Sequence, residues 1–178
     1  MSVWTHIVGS ISCDVMGVLF SDEETPAEVL ARVTGHWYDE YLNTDKMWPD
    51  SLEGYSDYGD GPEMPEGSEG PMHFASFNLG SKSSINNGLV SFWGNLRDYG
   101  EADVKQDMLP WFENLVKRYK ESGIGIRNMA IQIEIEYGPR YMLTYTNNKL
   151  EISESLAYDQ TNLQKSEIQT NQDEVGNA

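Results

Sequence analysis

The chain has 178 residues, of which 39% are hydrophobic and 11% aromatic, as in a folded domain of ordinary size rather than a disordered protein. Twelve Lys and Arg against 29 Asp and Glu give a net charge of -17. This charge argues against direct binding to nucleic acid or to an anionic membrane, because both need cationic side chains. It favours a basic protein partner, or it serves only solubility.

Cys13 is the only cysteine, which excludes an intramolecular disulfide and a cluster of thiolate metal ligands. The first 14 residues lack the basic and long apolar stretches of a secretory signal. No apolar run approaches the roughly 18 residues of a membrane span. We therefore expect a cytoplasmic protein.

The first elements in chain order are a strand and a helix. β-branched and apolar residues predict a strand over residues 3–13, with a continuation at 16–20. The segment Thr25-Pro26-Ala27-Glu28 has the N-cap, the first-turn proline and the returning glutamate of a capping box. The predicted apolar face of the helix that follows is Val29, Leu30, Val33 and Trp37.

Residues 38–70 contain ten acidic residues against Lys46 alone, and three prolines and several glycines interrupt any helical or strand period. We predict a long acidic loop, and loops of that length are usually functional or mobile. Its carboxylates are candidates for contact with a basic partner. The candidates are Asp50, Glu53, Asp57, Asp60, Glu63 and Glu66.

The middle of the chain predicts a hairpin and a second helix. Residues 72–79 and 89–96 are the predicted strands, and Asn87-Gly88 is a turn signal between them. Apolar residues at helical spacing predict a helix over 101–121. Pro110 lies inside it, so the helix either kinks there or begins at Pro110 after a short turn.

The last predicted elements form another antiparallel hairpin. Strict alternation predicts a half-buried strand over residues 127–137, with Met129, Ile131, Ile133, Ile135 and Tyr137 on its buried side. Gly138-Pro139 marks a turn, and residues 141–146 form the last strand. The polar composition of residues 151–178 predicts a disordered tail.

The sequence therefore predicts a single α+β domain over residues 1–150. Its elements follow the order β-α-β-β-α-β-β. They would build a mostly antiparallel sheet with both helices packed on one face. The polar face of the 127–137 strand is then open to water or to a partner.

The segment 66–71 contains glycines around Ser68 but lacks the Gly-x-Ser-x-Gly order of a hydrolase elbow. It is either an ordinary tight turn or a loop whose amides contact an anionic ligand. Arg97 is either part of a salt bridge with Asp98 or Glu101 or a binder of phosphate or carboxylate. The candidate ligand site comprises Gly67, Ser68, Glu69, Gly70, Arg97, Asp98 and His6.

Catalytic and metal motifs are incomplete. The three histidines lack metal-ligand spacing, and the aspartates of the acidic loop lack the spacing of a calcium loop. No Walker loop or dinucleotide fingerprint occurs. The many carboxylates leave a paired-carboxylate hydrolase open without singling out a pair. The aromatic residues Trp93, Trp111, Phe112 and Tyr119 are interpreted as core. We expect a binding protein, with no metal and no cofactor.

Three short stretches resemble a group of small uncharacterised bacteriophage and prophage proteins. They are residues 1–6 (MSVWTH), residues 67–70 (GSEG) and residues 92–99 (FWGNLRDY). The acidic loop and the residues after Glu151 depart from that group. The resemblance implies a phage-encoded accessory protein in the host bacterial cytoplasm.

Proteins of that kind often act by binding. One hypothesis is inhibition of a host defence or nucleic-acid-binding protein, with carboxylates occupying the place of phosphates. The alternative is a sponge or degrader of a nucleotide-like signal, which needs cations such as Arg97, Arg127 or Arg140.

Overall fold

The computed structural model describes residues 2–15, 25–35, 51–54, 64–79 and 87–155, with backbone alone for 51–54. The predicted continuation at 16–20, Trp37, most of the acidic loop and residues 156–178 lie outside these ranges. The strands are β1 (Trp4–Asp14), β2 (Ser51–Gly54), β3 (Glu66–Gly67), β4 (Gly70–Pro71), β5 (His73–Asn78), β6 (Asn87–Arg97), β7 (Gly125–Ile135), β8 (Arg140–Thr146) and β9 (Lys149–Ser155). The helices are α1 (Pro26–Thr34), α2 (Glu101–Asp103) and α3 (Leu109–Glu121).

Seven of these strands form one sheet in the order β2-β5-β6-β1-β7-β8-β9, and every neighbouring pair is antiparallel. The central strands β1 and β6 pair from Trp4 opposite Arg97 to Asp14 opposite Asn87. Strands β3 and β4 form a separate small hairpin. The predicted α+β class with a mostly antiparallel sheet is confirmed.

The helices pack against one face of the sheet, as predicted. Helix α1 contacts β5 and β6, α3 contacts β7, and the two helices contact each other. Alternate residues of the central strands are buried beneath them, including Ile7 and Ile11 of β1, Phe92 of β6 and Ile131 of β7. The alternation predicted for β7 is confirmed from Met129 to Ile135.

The capping box predicted for α1 is present. The Thr25 backbone N–H donates to the Glu28 carboxylate at 2.6 Å, and the Glu28 N–H donates to the Thr25 hydroxyl at 3.4 Å. These bonds satisfy amides that the first helical turn otherwise leaves without partners. The local sequence therefore fixes where α1 begins.

Residues 101–121 are helical throughout, so Pro110 does not follow a short turn. Helix α2 continues into a π-helical turn, Val104–Met108, which leads directly into α3. The Leu109 N–H donates to the Val104 carbonyl, a wider spacing than in an α-helix. Pro110 is the second residue of α3, directly after this turn.

Four predictions in the loops and strand ends are wrong. Residues 51–54, 66–67 and 70–71 form strands within the predicted loop 38–70. Strand β9 extends to Ser155, beyond the predicted domain end at 150. Asn87-Gly88 belongs to β6 rather than to the turn. Tyr137 is not on the buried side of β7, because the strand ends at Ile135.

Cys13 lies in the core, and burial raises the pKa of its thiol to about 12. A raised pKa keeps the thiol protonated at pH 8, where only a thiolate attacks a disulfide reagent. We expect the native chain to react with such a reagent at least about a thousandfold more slowly than the urea-unfolded chain. Stopped-flow absorbance at pH 8 measures both rates. Fast stoichiometric labelling of the native chain contradicts this burial.

Candidate functional site

The β3–β4 hairpin and its turn contact the end of β6, so the structure brings the predicted Gly67–Gly70 segment to Arg97. The Ser68 N–H donates to the Arg97 carbonyl at 2.8 Å, and the Ser68 hydroxyl donates to Asp98 at 2.7 Å. A Cβ at Gly67 would lie 2.7 Å from the Arg97 carbonyl oxygen. Glycine is therefore required for this approach, and Gly70, with a φ of +132°, closes the turn.

The Arg97 guanidinium is already engaged within the chain. It forms an ion pair with Glu69, and its Nε and Nη2 donate to the Ser2 hydroxyl at 3.3 and 3.2 Å. Asp98 lies 3.8 Å away, and the hydrogen bond and charge of Glu69 raise the pKa of Arg97. The salt-bridge interpretation thus describes the structure, with Glu69 as the main partner, while Glu101 instead pairs with Lys105. An anionic ligand would have to displace Glu69, so nucleotide binding stays a prediction.

His6 lies one cross-strand pair away from this cluster. Its Nδ1 is hydrogen-bonded to Oδ1 of Asn95 at 2.7 Å, and both side chains are exposed. The register pairs Trp4 with Arg97 and His6 with Asn95. His6 is therefore joined to the predicted site through Asn95, a residue that the sequence analysis did not select.

Most of the predicted partner-binding carboxylates lie outside the described residues. These are Asp50, Asp57, Asp60 and Glu63, and for Glu53 the backbone alone is described. Glu66 is exposed on β3. Of the 29 acidic residues, 14 lie outside the described ranges together with three of the 12 cations. The described part of the chain accounts for only a minor share of the net charge.

Many of the described carboxylates form local ion pairs. Their pairs are Asp14–Arg127, Glu69–Arg97, Glu101–Lys105, Glu121–Lys117, Glu134–Arg140 and Glu154–Lys105. These carboxylates are partly neutralised by neighbours from this chain and attract an outside cation less strongly. Glu136, at the end of β7, has no ion pair among the described residues.

The face of the sheet opposite the helices exposes large apolar side chains at its centre, which the sequence analysis missed. We call this the open face and define it by Trp4, His6 and Val8 of β1 and Trp93 and Asn95 of β6. Val8 is 62% exposed and Trp93 is 39% exposed.

Trp93 stacks on His73 with ring centroids 5.9 Å apart and planes 20° apart. The interpretation of Trp93 as core is wrong, whereas Trp111, Phe112 and Tyr119 are buried as predicted. In β6, Phe92, Gly94 and Leu96 alternate with Trp93 and are buried, so the period of two separates Trp93 from the core residues only once the covered face is known.

Two depressions adjoin on the open face. A groove of about 560 Å³ is lined by Trp4, His6, Asn95 and residues 134–137. A smaller one of about 280 Å³ is lined by residues 69–71, His73 and residues 93–95. Because Asn95 lines both, the two depressions adjoin; Trp4 lines the larger one and Trp93 the smaller one.

The described ranges contain no group of three or more His, Cys, Asp or Glu side chains placed to hold a metal ion. Within those ranges, no helix is long and apolar enough to cross a membrane.

No protein-family model, curated protein or solved structure matches the chain. The resemblance to phage proteins therefore stays a prediction that rests on three short stretches. Those stretches meet in space, since the Asp98 N–H donates to the Val3 carbonyl and the Ser68 N–H donates to the Arg97 carbonyl.

Proposed function

We propose that this chain is a binding protein whose open face covers a basic surface of another protein. In the bacteriophage setting that the resemblance implies, the covered protein is a host defence or nucleic-acid-binding protein, and covering inhibits it. The observation that carries the proposal is the exposure of Val8 and Trp93 on the two central strands of the sheet.

The open face has the composition of a protein interface. Interfaces place aromatic and aliphatic side chains at their centre and polar groups at their rim, and tryptophan is enriched among the residues that dominate affinity. Val8 lies directly opposite Trp93 in the register, and His73 pairs with Trp93 on its other side. This apolar centre is flanked by Asn95, Glu69 and Glu134.

Charge favours a basic partner over an acidic one. The chain carries a net charge of -17, and long-range attraction between opposite charges raises association rates. That attraction falls with ionic strength, because salt screens exposed charges over about 8 Å at physiological concentration. Contact with the apolar centre is insensitive to this screening. The affinity of a partner that uses both charge attraction and apolar contact therefore falls with salt but is not lost.

Site-specific photocrosslinking tests the proposal. A benzophenone amino acid placed at Val8 is expected to yield a covalent adduct with a basic protein in bacterial lysate. The same group at Glu113, exposed on α3 on the helix side, is the matched control. We expect an adduct from position 8 alone, with a yield that falls between about 0.05 M and about 0.5 M salt.

The purified partner then gives a quantitative measurement. Trp93→Ala is expected to weaken its affinity by about 30-fold or more in calorimetry, the loss typical of a central aromatic residue. Neutralising Asp50, Asp57, Asp60 and Glu63 to amides is expected to lower mainly the association rate. Equal adducts from positions 8 and 113, or an unchanged affinity in Trp93→Ala, would refute the proposed interface.

A further inference from the structure

The groove between Trp4 and Tyr137 contains both aromatic and acidic side chains, whereas the apolar centre of the open face consists of Val8 and Trp93. Trp4 is half-buried, while Tyr137 is 84% exposed, and both line the groove with Glu134 and Glu136. Among the described residues, neither Lys nor Arg lines it. Aromatic faces and carboxylates both attract cations.

The backbone sets the position of Tyr137 at the edge of the groove. Its φ of +61° lies in the left-handed region, which a bulky side chain rarely adopts. Two hydrogen bonds close the turn around it: the Gly138 N–H donates to the Ile135 carbonyl at 3.0 Å, and the Ile135 N–H donates to the Pro139 carbonyl at 3.3 Å. The turn thereby places the phenol ring in solvent, although continued strand alternation would have buried it.

The two carboxylates differ in availability. Glu134 forms an ion pair with Arg140 at 2.6 Å and accepts a hydrogen bond from Gln132. Glu136 has no ion pair among the described residues, and its N–H donates to the Trp4 carbonyl at 2.8 Å. That backbone bond fixes Glu136 next to the strand that carries Trp4. Glu136 is thus the carboxylate with the greater capacity for an outside cation.

We infer that this groove binds an arginine side chain of the protein partner, an inference that rests on the proposed function and names the partner chemistry. A planar guanidinium stacks on indole and phenol rings and donates two parallel hydrogen bonds to one carboxylate. The compact ammonium of lysine does neither as well. Because Asn95 lines both depressions, the remainder of the partner segment reaches Val8 and Trp93 from this anchor.

Nuclear magnetic resonance titration with small peptides tests the inference. The probes are blocked tripeptides Gly-Arg-Gly, Gly-Lys-Gly and Gly-citrulline-Gly, the last keeping the shape of arginine without its charge. We expect the arginine peptide to shift the Trp4 indole N–H and the Glu136 and Tyr137 amides with a dissociation constant on the order of 1 mM. Trp4→Phe assigns the indole signal. The lysine peptide binds more weakly, and the citrulline peptide does not saturate.

Two groove variants and two control variants test whether the arginine peptide binds in the groove. Glu136→Gln and Tyr137→Ala are each expected to weaken arginine-peptide binding by about fivefold. Tyr137→Phe, which keeps the ring, and Glu113→Gln, which removes an equal charge from α3, leave it unchanged. The amide spectra show at the same time that each variant is folded. Equal shifts from arginine and citrulline peptides, or equal losses in Glu136→Gln and Glu113→Gln, overturn the inference.

The outcomes for the groove and for the proposed function are separable. If a basic partner crosslinks to position 8 and its affinity is the same in Glu136→Gln, the groove inference fails while the proposed function stands. If the arginine peptide binds the groove but position 8 gives no adduct, the proposed function fails. The citrulline peptide controls for apolar contact, and the Glu113 variant controls for net charge.

Discussion

Replacing Gly9 with alanine is expected to destabilise the chain by about 3 kcal/mol, because the added methyl group has no room. Gly9 lies in β1 at the centre of the sheet, opposite Phe92 on one side and Ile131 on the other. A Cβ there would lie 2.3 Å from the Ala130 carbonyl oxygen and 2.4 Å from the Ile131 Cα. Both are backbone atoms, so β1 and β7 must separate locally to accept it.

Urea unfolding followed by circular dichroism measures this loss as a lower midpoint. Gly100→Ala is the matched control, since the nearest atom to its added methyl group is an Asp103 oxygen at 3.8 Å. Gly100 precedes α2 with a φ of −97°, which alanine adopts readily, so we expect a cost of at most about 1 kcal/mol, the penalty of alanine at an N-cap. Equal midpoints for the two variants would contradict the close packing of β1 on β7.

Elements with strong local signals were predictable from the sequence. The start of α1 follows from Thr25 and Glu28, whose reciprocal hydrogen bonds join residues only three positions apart. The buried face of β7 follows from its period of two, because a sheet buried on one side imposes that period. In both places the information lies within about ten residues of sequence.

The turn predicted at Asn87-Gly88 is wrong because packing, rather than turn geometry, explains the glycine. The register places Gly88 opposite Asn78 within the β5–β6 ladder. A Cβ at Gly88 would lie 2.3 Å from Leu30 Cδ1 and 3.4 Å from Pro26 Cβ, so glycine there leaves room for the side chains of helix α1 against the sheet. A dipeptide turn signal carries no information about a helix about 60 residues away in sequence.

Strand β9 was missed because an edge strand needs little apolar surface. Residues 151–155 are exposed, and their regular structure comes from backbone pairing with β8. Polar composition alone therefore does not separate such a strand from a disordered tail.

The open face could not be predicted from the sequence without knowing which face of the sheet the helices cover. The period of two in β6 places Trp93 and Phe92 on opposite faces of the sheet, but the sequence does not say which of the two faces is covered. Once α1 and α3 cover Phe92, Trp93 is left exposed. The Gly67–Gly70 turn and Arg97, proposed from the sequence as parts of one ligand site, contact each other, and Glu69 pairs with the guanidinium. Ligand binding by this cluster stays a prediction.

The acidic charge and the open face have separate roles in the proposed binding. Long-range steering depends on net charge and ionic strength, so carboxylates outside the described residues contribute to it whatever their local structure. Affinity after contact depends on groups that become buried against each other, such as Trp93. A partner would therefore be attracted by the whole chain and held by one face of its sheet.

Replacing Phe112 with alanine is expected to destabilise the chain by about 3–5 kcal/mol, the range for a fully buried phenylalanine. Phe112 is 0% exposed on α3, and its ring packs edge-on against Phe92 at 5.4 Å and Trp111 at 5.0 Å between centroids. Phe92 precedes Trp93 in β6 and points to the opposite face. The cavity left by alanine therefore lies directly beneath the apolar centre of the open face.

Urea unfolding of Phe112→Ala and Phe112→Leu distinguishes the free energy lost with the buried volume from that lost with the aromatic ring contacts. Leucine keeps most of the buried volume, so we expect it to cost about 1–2 kcal/mol, well below alanine. Because the lost volume is on the helix side, the affinity of the folded fraction for its partner should match that of the original chain. Trp93→Ala removes a partly exposed ring that stacks on His73, so we expect it to cost less stability than Phe112→Ala and to lower affinity. A Phe112→Ala chain as stable as the original would show that α3 does not hold β6 in place.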